Sequence, residues 1–125
     1  VLLGRREHFA LAVRNLIENA IQHGGSTLQR IKVELAFEST ENVIRMIIDD
    51  DGQGVAEADR EHIFEVGVTN KPGGTGLGLS WVKRVVEEEL RGVVVCSQSP
   101  DGGARFVVRL PAATPDRVPV QKEPG

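Results

Sequence analysis

Asp50-Asp51-Gly52-Gln53-Gly54 is the stretch on which the fold of this chain turns. A carboxylate followed by glycines at alternate positions lets the backbone lie flat against a ligand, because glycine has no Cβ to hold it off. The stretch closes Val43 to Asp50, an apolar run that reads as a strand. Within it Asp50 shares a face with Ile44, Met46 and Ile48, whereas Asp49 and Asp51 fall on the opposite one. Parity therefore picks Asp50 as the carboxylate that meets a ligand, and Gly52 and Gly54 index from it. A calcium loop is the rival reading. It fails on spacing: counted from Asp49 the twelfth position, which needs a glutamate, is Arg60, and counted from Asp50 the third position is Gly52, which has no ligand side chain.

Further on, Gly74-Thr75-Gly76-Leu77-Gly78-Leu79 runs straight into a helical pattern. Consecutive backbone N–H groups at the positive end of a helix favour phosphate. The loop lacks the Gly-Lys-Ser/Thr ending of a P-loop and the Gly-x-Gly-x-x-Gly spacing of dinucleotide folds. Upstream, Asn15-Leu16-Ile17-Glu18-Asn19-Ala20 lies in a helix predicted from Arg5 to His23, where apolar residues recur at intervals of three and four. Asn15 and Asn19 share one face of it, opposite much of the apolar stripe, and His23 follows one turn later. An amide oxygen from Asn19 suits Mg²⁺, which keeps several waters and is completed by substrate phosphates.

The order and spacing of these segments resemble the ATP-binding domain of sensor histidine kinases, within the wider family that includes gyrase, Hsp90 and MutL. Asn15 to Ala20 is similar to the N box and Asp50 to Gly54 to the first glycine box. Ile63-Phe64-Glu65 through Lys71 resembles the F box, and Gly74 to Leu79 the second glycine box. The resemblance covers residues 1–110 and implies a two-layer α/β sandwich: a mostly antiparallel mixed sheet with helices on one face. It implies Mg-ATP as ligand, with Asp50, Gly52 and Gly54 at adenine. Asn19 becomes the metal ligand, with Asn15 beside it in the phosphate site. His23, Lys71, Gly74, Thr75, Gly76, Leu77, Gly78 and Leu79 fall at the phosphates.

ATP-hydrolysing members of the family carry a glutamate where Asn15 stands. An amide cannot take a proton usefully near neutral pH, so phosphoryl transfer is expected in place of hydrolysis. Asn15 and Lys71 are the candidate catalytic positions, Lys71 as a mobile charge on the terminal phosphate. The acceptor would be a histidine on a separate dimerisation domain, with a response regulator downstream. None of His8, His23 and His62 stands in an acceptor motif. An anti-sigma-type serine kinase and a family ATPase are the alternatives. Two departures are Gln22, where a basic residue is frequent, and Gly67-Val68, where aromatics are common.

The whole chain of 125 residues supports one domain, 1–110, followed by a Pro-rich tail, 111–125, read as disordered. With 18 acidic and 15 basic residues its net charge of −3 gives no reason to expect nucleic-acid binding. No apolar run approaches the ~20 residues that span a bilayer, and no signal-peptide pattern opens the chain, so a cytoplasmic, monomeric domain is expected. Cys96, the single cysteine, reads as a buried thiol.

The remaining elements follow from period and punctuation. Val1 to Leu3 reads as a strand tail. Ile31, Val33, Leu35 and Phe37 alternate with polar residues, a strand with one buried face. Ala56 to Phe64 suits a short helix, 65–75 a lid hinged on Phe64, and Leu77 to Leu90 a longer helix in which Trp81 packs. Val93 to Ser97 and Arg105 to Leu110 then form a hairpin around Pro100-Asp101-Gly102-Gly103. His8 and His62 are expected on helix surfaces.

Overall fold

The computed structural model describes residues 4–66 and 78–112. The expectations for Val1 to Leu3, the lid from residue 67 on, Lys71, Gly74 to Leu77 and the part of the 111–125 tail from residue 113 lie outside the described residues.

Helix α1 spans Arg5–His23, the extent its periodicity dictates. Glu7 Oε1 accepts from the Gly4 N–H at 3.1 Å, satisfying one of the donors a helix start leaves open. Its inward face carries Ala12, Asn15, Leu16 and Ala20. The chain then turns through Gly24 and Gly25 into β1 (Ile31–Glu38) and β2 (Val43–Asp50). Later come α2 (Leu79–Arg84), β3 (Val93–Gln98) and β4 (Ala104–Pro111). The sheet order is β1-β2-β4-β3, and every pairing among the described strands is antiparallel. The core lies between this sheet and the two helices. Leu16, Ile48, Leu79, Val82, Phe106 and Val108 are fully buried in it, and Phe64 meets Phe106 edge to face at 6.2 Å.

Four expectations are corrected. The apolar positions of β1 are not buried: Leu35 is 67 % and Phe37 59 % exposed, and Val33 is exposed too. They pair across to Met46, Ile44 and Ile48, and so point to the helix side of the sheet. The packed layer is built from β2, β4 and β3, however, and from edge strand β1 only Ile31 packs against it. Ala56 to Phe64 is not one helix but two short 3₁₀ turns, Glu57–Asp59 and His62–Phe64. The second long helix is α-helical only to Arg84. Val85–Glu89 is a π turn closed by the Leu90 N–H donating to the Val85 carbonyl at 3.0 Å. Finally, His8 is not a surface residue. It is half-buried, bonded to Glu89 through Nδ1 and edge-on to Trp81 at 5.8 Å, so it ties α1 to the π turn.

Cys96 is half-buried, and burial pushes its thiol up to about 11. That is a poor thiolate and an inert side chain. No helix of the described residues is long and apolar enough to cross a membrane.

Candidate nucleotide site

Asp50 ends β2 on the helix side of the sheet and is 4 % exposed. Its carboxylate is held through one oxygen: Oδ1 accepts from the Gly52 N–H at 2.9 Å and from the Ala104 N–H at 3.1 Å. Fixing a carboxylate through one oxygen orients the other. The close approach from β4 depends on Gly103, where a Cβ would lie 2.1 Å from Asp50 Oδ1. Asp50 thus lies on the face that strand parity gives it, and its two neighbouring aspartates turn elsewhere. Asp49 turns to the other side of the sheet and takes Arg105 Nε at 2.7 Å and Nη2 at 2.9 Å. Asp51 Oδ1 accepts from the Gln29 and Arg30 N–H groups at 2.8 and 3.0 Å, pinning the loop that follows α1. Those backbone bonds, Gln29 first, hold the Asp51 carboxyl below its ordinary pKa.

Two adjoining hollows meet at this strand end. The smaller, about 20 Å³, reaches Asp50 between Asn19, Gly24, Gly54, Ala104 and Phe106. The larger, about 350 Å³, opens from Asn19 and His23 past Gly54 and Val55 to Ile63 and Leu79. Such a volume lies within the usual range of small-molecule sites. Asn19, His23 and Gly54 line both hollows, so the α1 face, the first glycine loop and the start of α2 converge. Gly78 is the cap residue of α2. Gly52 is buried beside Asp50, and a Cβ on it would sit 2.5 Å from the Gly24 carbonyl oxygen.

Asn15 lies one turn before Asn19 and is 5 % exposed. The shared face of Asn15 and Asn19 therefore points inward, not to solvent. Glu18, the nearest carboxylate in the chain, is held by Arg14 at 3.2 Å. His62 stands at the rim of the larger hollow with Nδ1 2.8 Å from Glu65 Oε2, and this hydrogen bond raises its pKa above the ordinary value. Phe64, expected as the anchor of the F-box segment, is buried against Phe106.

Several contributors were not picked out from sequence. Gly103 and Ala104 bring β4 onto Asp50 from 54 residues away in the chain. Gln53, Val55, Asp59 and Ile63 line the larger hollow. The Pro100-Asp101-Gly102-Gly103 turn carried the only sequence signal for β4's part, and it signals a hairpin, not a site.

A fit to adenine and phosphates is supported by this donor set: a buried, oriented carboxylate at the narrow end, and amide, imidazole and a helix start at the wide end. The narrow end needs the close backbone approach that Gly52 and Gly103 permit.

Residues 4–114 match the family described as histidine kinase-, DNA gyrase B- and HSP90-like ATPase. The chain is 40 % identical over 114 residues to the sensor-type histidine kinase PrrB of Mycobacterium tuberculosis (strain ATCC 25618 / H37Rv), covering 89 % of this chain and 24 % of that protein. It is 34 % identical over 116 residues to the sensor histidine kinase CpxA of Escherichia coli (strain K12), covering 88 % and 24 %. The chain thus spans about a quarter of the length of the curated relatives it matches. Among solved structures, the ATP-binding domain of PrrB from M. tuberculosis superposes with a TM-score of 0.70 at 32 % identity, over 86 % of this chain and 69 % of that one. The catalytic domain of the histidine kinase ThkA gives 0.72 at 28 %, over 86 % and 68 %. By fold, by the order of its motifs and by these matches, the chain belongs to the histidine kinase-, DNA gyrase B- and HSP90-like ATPase family.

Proposed function

We propose that this chain is the ATP-binding catalytic unit of a two-component sensor histidine kinase. It would deliver the γ-phosphoryl group to a histidine on a separate dimerisation and phosphoacceptor domain, from which a response regulator takes it. The observation that carries the reading is Asp50: a buried carboxylate, bonded twice through Oδ1, at the closed end of a hollow that Asn19 and His23 line.

In this reading Asp50 accepts from the exocyclic amine of adenine. Guanine presents a carbonyl at that position, and an ionised carboxylate repels it. Asn19 would supply the one protein oxygen to Mg²⁺, which, when bound, neutralises phosphate charge as the group transfers. His23, Gly78 and Leu79 stand at the phosphate end. Lys71 and Gly74 to Leu77, outside the described residues, belong there by the family resemblance. Asn15 cannot deprotonate water, so the terminal phosphate is kept for the acceptor histidine. Positioning and electrostatics supply most of what such a transfer needs.

Isothermal calorimetry with Mg-ATP tests the reading directly. One saturable site is expected, with little steady hydrolysis. Absence of heat sinks it. Supplying the phosphoacceptor domain should yield an acid-labile phosphoprotein, whereas an acid-stable product would point to a serine kinase.

A further inference from the structure

We propose that Gln53 is a positioning residue, clamping the C-terminal end of α1, and with it Asn19 and His23, onto the loop that carries Asp50. This rests on the nucleotide reading above and deepens it.

The last carbonyls of a helix have no partner within the helix. Gln53 satisfies two carbonyls at the end of α1 at once. Its side-chain Nε2 donates to the His23 carbonyl at 2.8 Å, and its backbone N–H donates to the Gly24 carbonyl, also at 2.8 Å. The two backbones are already in contact at Gly52 and Gly24, where no Cβ fits. Gly25 approaches the same side chain, and a Cβ on it would lie 3.3 Å from Gln53 Oε1. A side chain that grips the helix end from this distance sets how far Asn19 and His23 stand from Asp50.

Alternation along the segment supports the assignment. Positions 50, 52 and 54 serve the hollow: Asp50 and Gly54 line it, and Gly52 donates to Asp50. Positions 49, 51 and 53 brace the loop, Gln53 doing so from the wall of the larger hollow. Asp49 holds Arg105, Asp51 holds the Gln29 and Arg30 N–H groups, and Gln53 holds the end of α1. Of the three braces only Gln53 reaches the helix that bears the residues at the phosphate end. Slackening it should therefore move the phosphate end against the base end and leave the base end intact.

Gln53→Met keeps the length of the side chain and removes its donor. Mg-ATP and adenosine are titrated separately into wild type and variant. The expected result is a 3- to 10-fold rise in the Kd for Mg-ATP, about what one lost neutral hydrogen bond gives. The Kd for adenosine should stay within about twofold, the spread that result leaves for an unaffected base end. A merely structural role would weaken both ligands together, and that outcome overturns the proposal; so does a variant that binds Mg-ATP like wild type. Gln53→Ala, free of any crowding by the thioether, should give the same split, and a different split also overturns it. Failure of wild type itself to bind Mg-ATP would sink the nucleotide reading first, and the two failures are thereby told apart.

Discussion

Arg105 lies directly across the β2–β4 ladder from Asp49 and grips it with two hydrogen bonds, at 2.7 and 2.9 Å. This fork-to-carboxylate geometry is the strong form of a charged hydrogen bond. It joins the two central strands on the face away from the hollow. Asp49 is buried, while Arg105 keeps part of its surface in water. Asp49→Ala should therefore cost about 1.5–3 kcal/mol of stability, read by urea unfolding, and leave Mg-ATP affinity unchanged. A variant that loses nucleotide binding at full stability would contradict the division of labour between Asp49 and Asp50.

Asp50→Asn should do the reverse. The amide can still accept from Gly52 and Ala104 through its oxygen, yet it presents an NH₂ or a neutral carbonyl to the base. Loss of a charged hydrogen bond of about 1.5–3 kcal/mol corresponds to a 10- to 100-fold rise in the Kd for ATP. Calorimetry on the folded variant measures it, and an unchanged Kd removes Asp50 from adenine recognition.

Gly103 and Gly102 are neighbours with different constraints. A methyl group at 103 would meet Asp50 Oδ1 at 2.1 Å and the Gly52 nitrogen at 2.6 Å, so Gly103→Ala must displace the carboxylate. A loss of about 1–3 kcal/mol is expected together with weaker ATP binding. At 102 there is open space but a φ of +98°, so Gly102→Ala should cost about 1–2 kcal/mol in backbone strain with binding intact. Parallel melts and titrations of the pair decide the point.

Asp51 gives a pH signature. Its folded-state pKa is lowered, so the stability it contributes is present above the unfolded value, near 4, and is lost as pH falls through the folded value. The gap in melting temperature between wild type and Asp51→Asn should be widest near neutrality and close in acid. A gap that stays constant down to about pH 2 would mean that the carboxylate charge is irrelevant to holding Gln29 and Arg30.

Much of this architecture could be read from the chain. Helix α1 matched in extent because a 3.6-residue period and a pair of glycines fix its length and its end, though the buried face also takes in Asn15 and leaves Ile21 exposed. Asp50 could be set on the helix side of the sheet and Asp49 on the other because strand parity is strict. The misses have a common cause, which is that they depend on what lies over or across an element. Alternation in Val33, Leu35 and Phe37 announces an apolar face without saying whether anything covers it. The donors from Gly52 and Ala104 are backbone groups, so no side-chain pattern marks them, and the Ala104 bond spans 54 residues. Gln53 reads as any solvated amide until the end of α1 is beside it.

The wide turn at Val85–Glu89 has one further consequence. There the winding carries one residue more than a regular α-ladder needs, its closing bond running from Leu90 to Val85. A widened turn absorbs the extra residue locally, so the chain on either side keeps its facing. Gly92 needs that facing held, since even a Cβ there would sit 2.2 Å from the Arg109 carbonyl oxygen. Removing a single residue from the stretch should let the turn tighten to even winding and leave the entry into β3 in place.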